Sequence, residues 1–254
     1  MSAAVTPRDV LARTDHRPVP MPDGPWIQRQ TWSELLFAHW AVPESSLRRL
    51  IPKQLSIETK DGSAWLGITP FRMSGVRLRA VPALPGVSTF RELNVRTYVR
   101  HRNTPGIWFF SLDADSLPNV LGARAIYNLP YFYARMSLRR RGDDFAFSSW
   151  RLGTTSRLEF RATYKPSGEE FQSAPGSLEH WFTERYVLFT ADRHGRLYRA
   201  EIHHAPWPLQ PAEAGVECNT MGSPLQLPLT PAPHLLFSRK LDVLVWPLRR
   251  EPAR

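Results

Sequence analysis

The sequence predicts a mostly β chain of the α+β class, an antiparallel barrel or curled sheet carrying a few short helices as plugs. Three observations lead there. About ten segments alternate or run apolar over strand lengths, against three short segments with helical spacing. Tight-turn pairs at Asp61-Gly62, Gly142-Asp143 and His194-Gly195 join neighbouring segments. A hydrophobic content of 42% with 9 Trp, 13 Phe and 7 Tyr is enough to fill one substantial core in 254 residues.

In chain order, residues 1–25 are polar and Pro-rich, and read as a flexible N-terminal tail that lies against the domain or stays disordered. One domain is expected over residues 26–250. "PESSLRRLIP" is a short helix between Pro43 and Pro52. "LSIETKDGSAWLGITPFRM" reads as a hairpin, and residues 76–89, with two prolines, as a long surface loop. "FRELNVRTYVRHR" alternates strictly, with Leu93, Val95, Thr97 and Val99 on one face and Glu92, Asn94, Arg96 and Tyr98 on the other. "GIWFFSLDA" is nearly all apolar and so buried on both faces. "SLPNVLGARAIYNLP" is a helix that ends before Pro130. "YFYARMSLRRRGDDFAFSSWRL" is a second hairpin, and "SRLEFRATYKP" a further strand. Ser177 caps a short helix, two strands joined at His194-Gly195 follow, and "HLLFSRKLDVLVWPL" supplies the last strand.

Composition excludes several functions. The net charge of +10 is carried almost wholly by Arg, since Lys53, Lys60, Lys165 and Lys240 are the four lysines. The densest basic run, Arg139-Arg140-Arg141, sits at a hairpin tip beside Asp143 and Asp144, and no nucleic-acid-binding motif accompanies it, so no nucleic-acid partner is expected. Cys218 stands alone, which leaves no internal disulfide and no Cys-based zinc site. No apolar run approaches a membrane span and the N-terminus lacks a signal-peptide core, so the expectation is a cytoplasmic protein without a membrane partner. A homo-oligomer is compatible with the sequence. No metal or cofactor is expected.

No nucleophile elbow, P-loop, metalloprotease or dinucleotide motif is present, so the candidates are constellations. Glu92, Asn94, Arg96 and Tyr98 could form a wet cross-strand ladder or line a pocket. In a pocket, Glu92 would be an acid or base and Arg96 a carboxylate anchor. His203 and His204 point to opposite faces of a strand, so one at most faces any site. Glu184, Arg185 and Tyr186 stand at a helix–strand junction. Arg124 and Tyr127 are three apart, on one face of a predicted helix, and Tyr131 opens the next strand. Spacing leaves both a structural and a functional role open for each.

"LLFAHWAVP", "GSAWLGITPFRM", "FRELNVRTYV", "WFFSLDADS", "ARAIYNLPY", "GSLEHWFTERYVLF", "IHHAPWPL" and "FSRKLDVLVWP" together resemble the YqjF-like family (DUF2071), a group of uncharacterised proteins within the acetoacetate decarboxylase-like superfamily. The resemblance runs from about residue 32 to residue 246. It implies a cone-like β-barrel around an internal pocket, with Glu92 pointing inward from a strand that matches the decarboxylases' Y-R-E type. It also aligns "ARAIYNLPYFYA" with the stretch that carries their Schiff-base lysine. Arg124 and Pro130 match, but Tyr131 and Phe132 stand where the lysines should be, and neither forms an imine. The resemblance therefore implies a pocket protein that binds or transforms a small organic acid without a Schiff base, through a lyase- or hydrolase-like activity if it is an enzyme. Glu92 and Tyr131 are the expected catalytic pair, and Asn94, Arg96, Tyr98, Arg124, Arg185 and His203 the expected ligand contacts. The alternatives are a non-catalytic ligand-binding or sensing module and a nucleic-acid- or partner-binding protein.

Overall fold

A computed structural model describes residues 5–227, 229–230 and 232–252. Its thirteen strands are β1 (Gln28–Val42), β2 (Ser56–Ile57), β3 (Ala64–Leu78), β4 (Phe90–His101), β5 (Thr104–Ala114), β6 (Tyr131–Arg141), β7 (Asp144–Arg151), β8 (Glu159–Pro166), β9 (Val187–Ala191), β10 (Leu197–His204), β11 (Leu209–Asn219), β12 (His234–Val245) and β13 (Arg249–Arg250). The helices are α1 (Pro7–Leu11), α2 (Glu44–Arg48), α3 (Leu117–Tyr127) and α4 (Leu178–Thr183). Among the described residues no helix is long and apolar enough to cross a membrane.

The strands form one sheet that closes on itself twice. A common wall runs β12-β1-β3-β4-β5. At one end of this wall, β9 and β10 close the ring: Ile107 and Trp108 of β5 pair with β9, and Val243–Val245 of β12 pair with β10. At the other end, β6, β7, β8 and β11 close a second ring: Leu112–Ala114 of β5 pair with β6, and Leu236–Ser238 of β12 pair with β11. Two of these pairings, β5–β6 and β5–β9, are parallel, so the barrel is mostly but not wholly antiparallel. A parallel partner requires a crossover, and α3 supplies the one between β5 and β6.

β4 lies in the common wall and is buried on both faces. Leu93, Val95 and Val99 pack into a core with Phe145, Phe147, Phe160 and Phe237 from the second ring. The β7–β8 sheet covers this face of β4. The turn at Asp61-Gly62 is present, with φ of +53° and +78°, but β2 pairs with β4 and not with β3. The backbone N–H of Glu58 donates to the carbonyl of Tyr98 and holds the segment there. β11 is absent from the sequence reading: Pro206, Pro208 and Pro211 read as loop, while its half-buried alternation becomes visible once β8 lies beside it.

The described part of the N-terminal segment is packed, not free. Thr6 and Asp9 cap α1 reciprocally, and Val10 is buried against Leu244 and Trp246. Arg17 donates to the carbonyl of Ile202 at 2.8 Å. Of the two placements open to this segment, the structure has the one against the domain, because β10 and β12 leave it an apolar seat and unpaired carbonyls.

The β5–β9 closure depends on Gly106. A Cβ there would come within 2.6 Å of the Phe189 ring and 2.7 Å of the Val187 carbonyl oxygen. Gly106→Ala is therefore expected to destabilise the fold by about 1–3 kcal/mol through overpacking, read from urea unfolding. Gly122→Ala is the control, because no atom lies within 4 Å of its added Cβ; it should cause no such loss.

Candidate functional site

The ring closed by β9 and β10 encloses a cavity of about 330 Å³. Alternation along β4 sends Phe90, Glu92, Asn94 and Arg96 into it. β1 contributes Trp32, Leu35 and Phe37, and β3 contributes Thr69, Phe71 and Met73. Leu112 and Phe109 come from β5, Asn119, Gly122, Ala123 and Tyr127 from α3, and His204 and Trp207 from the end of β10 and beyond. The walls are mainly apolar, and polar groups are few.

Glu92 is buried, and the Tyr131 hydroxyl donates to its Oε2 at 2.8 Å. Burial pushes the Glu92 carboxyl up to about 8, against the opposing pull of the Tyr131 and Asn94 side chains; Asp113 adds a further upward push. The group is therefore mostly a neutral acid at neutral pH. Tyr131, in turn, is pushed well above its ordinary value by burial and by Glu92, so it remains a donor. No guanidinium pairs with Glu92 among the described residues. The nearby Asp113 is tied to Arg151 at 2.7 Å.

Arg96 is buried as well, over the rings of Phe37 at 5.3 Å and Tyr98 at 5.9 Å. Among the described residues no carboxylate lies within ion-pair distance of it, and its Nε has no hydrogen-bond acceptor. Asn94 Oδ1 and Thr69 Oγ1, from residues lining the same cavity, are likewise buried without partners. Removing a cation from water without a counter-ion costs several kcal/mol, and an anion in the cavity would supply the missing partner.

The other expected contacts fall elsewhere. Arg185 reaches the cavity wall, but its charge is taken by the Glu58 carboxylate and its Nε donates to the Trp181 carbonyl at 2.7 Å. Tyr98 is sealed behind Arg96: Trp181 and Phe182 of α4 cover it, and its hydroxyl meets His39 Nε2 at 2.6 Å. Arg124 lies on the exposed face of α3, not the face that carries Tyr127 into the cavity. Its Nε donates to the backbone carbonyl of Tyr131 at 2.7 Å, which positions that strand end, and it does not line the cavity. His203 points away from the cavity, between Val10 and Arg17 of the N-terminal segment. Strand parity gives the cavity to His204 instead, whose ring burial pushes down to about 3, leaving it neutral. Thr69 and Trp207 were not among the candidates, while Tyr127 and His204, named without a role, line the cavity; the "GSAWLGITPFRM" and "IHHAPWPL" motifs contain the two that were missed.

No lysine lines the cavity among the described residues. Lys53 and Lys240 are exposed, and Lys60 and Lys165 are held by the Gly176 carbonyl and Glu213. Among the described residues no three His, Cys, Asp or Glu side chains converge as a metal site.

The Glu92 carboxyl has a definite linkage to stability. Between about pH 4.5 and 8 the unfolded chain gives up this proton and the native state keeps it, so stability falls as pH rises through that window. Glu92→Gln keeps an acceptor for Tyr131 and removes the titration. Relative to wild type it should gain up to about 3–5 kcal/mol at pH 8 and little at pH 4.5, as read from urea midpoints across the range. An advantage independent of pH would place the Glu92 pKa at its ordinary value.

Comparisons with known proteins agree with this architecture. The family model DUF2071, described as "Uncharacterized conserved protein (COG2071)", matches residues 29–242. The uncharacterized protein YqjF of Bacillus subtilis (strain 168) is 45% identical over 239 residues, covering 94% of this chain and 98% of its own. Among solved structures, the acetoacetate decarboxylase of Legionella pneumophila superposes with a TM-score of 0.62 at 13% identity, covering 99% of this chain and 98% of its own. The enduracididine biosynthesis enzyme MppR with bound HEPES buffer superposes with a TM-score of 0.63 at 11% identity, covering 89% and 88%. At such identities the likeness is one of fold. On the family model and the identity to YqjF, the chain belongs to the DUF2071 family of uncharacterised conserved proteins, built on the acetoacetate decarboxylase-like fold.

Proposed function

We propose that the cavity binds an organic acid, with Arg96 as counter-ion to its carboxylate and Glu92 as the neutral donor to a second oxygen on the same molecule. The observation that carries this reading is the buried, unpaired Arg96 guanidinium on the cavity wall. Arg124 and Arg185, the other anchors expected from sequence, are already engaged. A structural neighbour, MppR, has been solved complexed with pyruvate, itself a carboxylate.

Glu92 suits proton chemistry. Tyr131 donates to Oε2, so the carboxyl's own proton sits on the other oxygen and is free for a ligand. A carboxylic acid kept neutral by its surroundings can polarise a carbonyl or protonate a carbanion as an adjacent bond breaks. The cavity wall carries no Lys, Cys or Ser among the described residues, so neither an imine nor a cysteinyl or seryl intermediate has a side chain to form on. The step within reach is a lyase-type or tautomerising proton transfer. The largely apolar wall favours a second reading, in which the same acid is bound and released unchanged.

Trp32 and Trp207 line the cavity and report on occupancy. In a fluorescence titration, butanoate should bind more tightly than butanamide. Arg96→Gln should weaken butanoate about 10–100-fold, the scale of a lost charge-assisted hydrogen bond, and leave butanamide unaffected. Equal binding of acid and amide to the wild type would refute the anchoring role of Arg96.

A further inference from the structure

We infer that the acid taken by this cavity is elongated: a monocarboxylate of about six to ten carbons, in place of a two- to four-carbon metabolite. This rests on the proposed role of Arg96 and names the ligand class for it.

The length of the cavity comes from β4. Phe90, Glu92, Asn94 and Arg96 all line it, so it follows the strand for six residue steps, about 20 Å. Its volume of about 330 Å³ has room for more than a compact two- to four-carbon acid.

The two chemically active groups are also far apart. Glu92 and Arg96 are separated by about 13 Å along the strand. Among the described residues no ion pair or hydrogen bond joins their side chains: Glu92 Oε2 takes the Tyr131 hydroxyl, and Arg96 Nε has no acceptor. A four-carbon acid seated on Arg96 would leave the Glu92 end empty. An acid that reaches both must carry its second oxygen several carbons from the carboxylate.

The wall between and beyond these groups is apolar and aromatic. Phe71, Met73, Phe109, Tyr127 and Trp207 offer a chain continuous contact, with burial as the driving force. Gly122 of α3 stands in this wall, and a Cβ built on it meets no atom within 4 Å, so a larger side chain fits there without displacing the protein.

The test is a chain-length series with full-length protein. Butanoate, hexanoate, octanoate and decanoate are titrated by tryptophan fluorescence, with 1-octanol as the uncharged control. Affinity is expected to rise about three- to fourfold per methylene as far as octanoate or decanoate. Gly122→Leu, which places a branched chain in the cavity, should cost decanoate at least tenfold and leave butanoate unchanged. Equal affinity from butanoate to decanoate, or no effect of Gly122→Leu on decanoate, overturns the elongated ligand. The underlying reading fails separately: 1-octanol binding as tightly as octanoate would remove Arg96 as anchor and leave the length dependence standing.

Discussion

Burial of β4 on both faces is the constraint around which the rest of the molecule is arranged. One face is apolar and fills the core shared with β7 and β8. The other carries an acid, an amide and a guanidinium into a cavity with few polar partners. An ionisable group in that position must neutralise, find a counter-ion in the chain or wait for one from outside. The structure contains all three solutions. Glu92 keeps its proton. Asp113, reached across β5, takes Arg151, and Arg185 takes Glu58. Arg96 has no such partner among the described residues, and the proposed carboxylate ligand follows from that vacancy in the charge pairing.

The double closure of the sheet is what makes the second face of β4 an interior. β9 and β10 bridge β5 and β12, and turn a wall that would otherwise face water into one side of a cavity. α3 spans the other approach. Its crossover between β5 and β6 places Gly122, Ala123 and Tyr127 over the cavity, while Arg124 on its outer face fixes the Tyr131 backbone. Tyr131 then presents its hydroxyl to Glu92, and a phenol forms no imine.

Much of this was legible in the sequence, for identifiable reasons. The strict alternation of residues 90–99 placed Glu92, Asn94 and Arg96 on one face, and the likeness to decarboxylases turned that face inward. Turn chemistry located both hairpin tips and the Ser177 cap. What could not be read was set by partners distant in sequence. Whether Arg96, Arg124 or Arg185 carries the free charge depends on where Glu58 and the Tyr131 carbonyl lie. Whether His203 or His204 faces the cavity depends on the parity of β10 relative to its neighbours. The upward push of burial on Glu92 is likewise set by neighbours distant in sequence, Tyr131 and Asp113 among them. The parallel pairings of β5 and the prolines that open β11 defeated a reading built on local pattern.

The central claim is that Glu92 is a neutral acid inside the cavity, and its own titration tests that most directly. Glutamate side-chain carboxyl resonances of ¹³C-labelled protein can be followed by NMR between pH 4 and 10, with the Glu92→Gln spectrum assigning the signal. The account expects this carboxyl to titrate with a midpoint near 8. A midpoint near 4.5, with the other surface glutamates, would mean that Glu92 is a solvated or paired carboxylate, and would remove the proton donor on which the proposed chemistry depends.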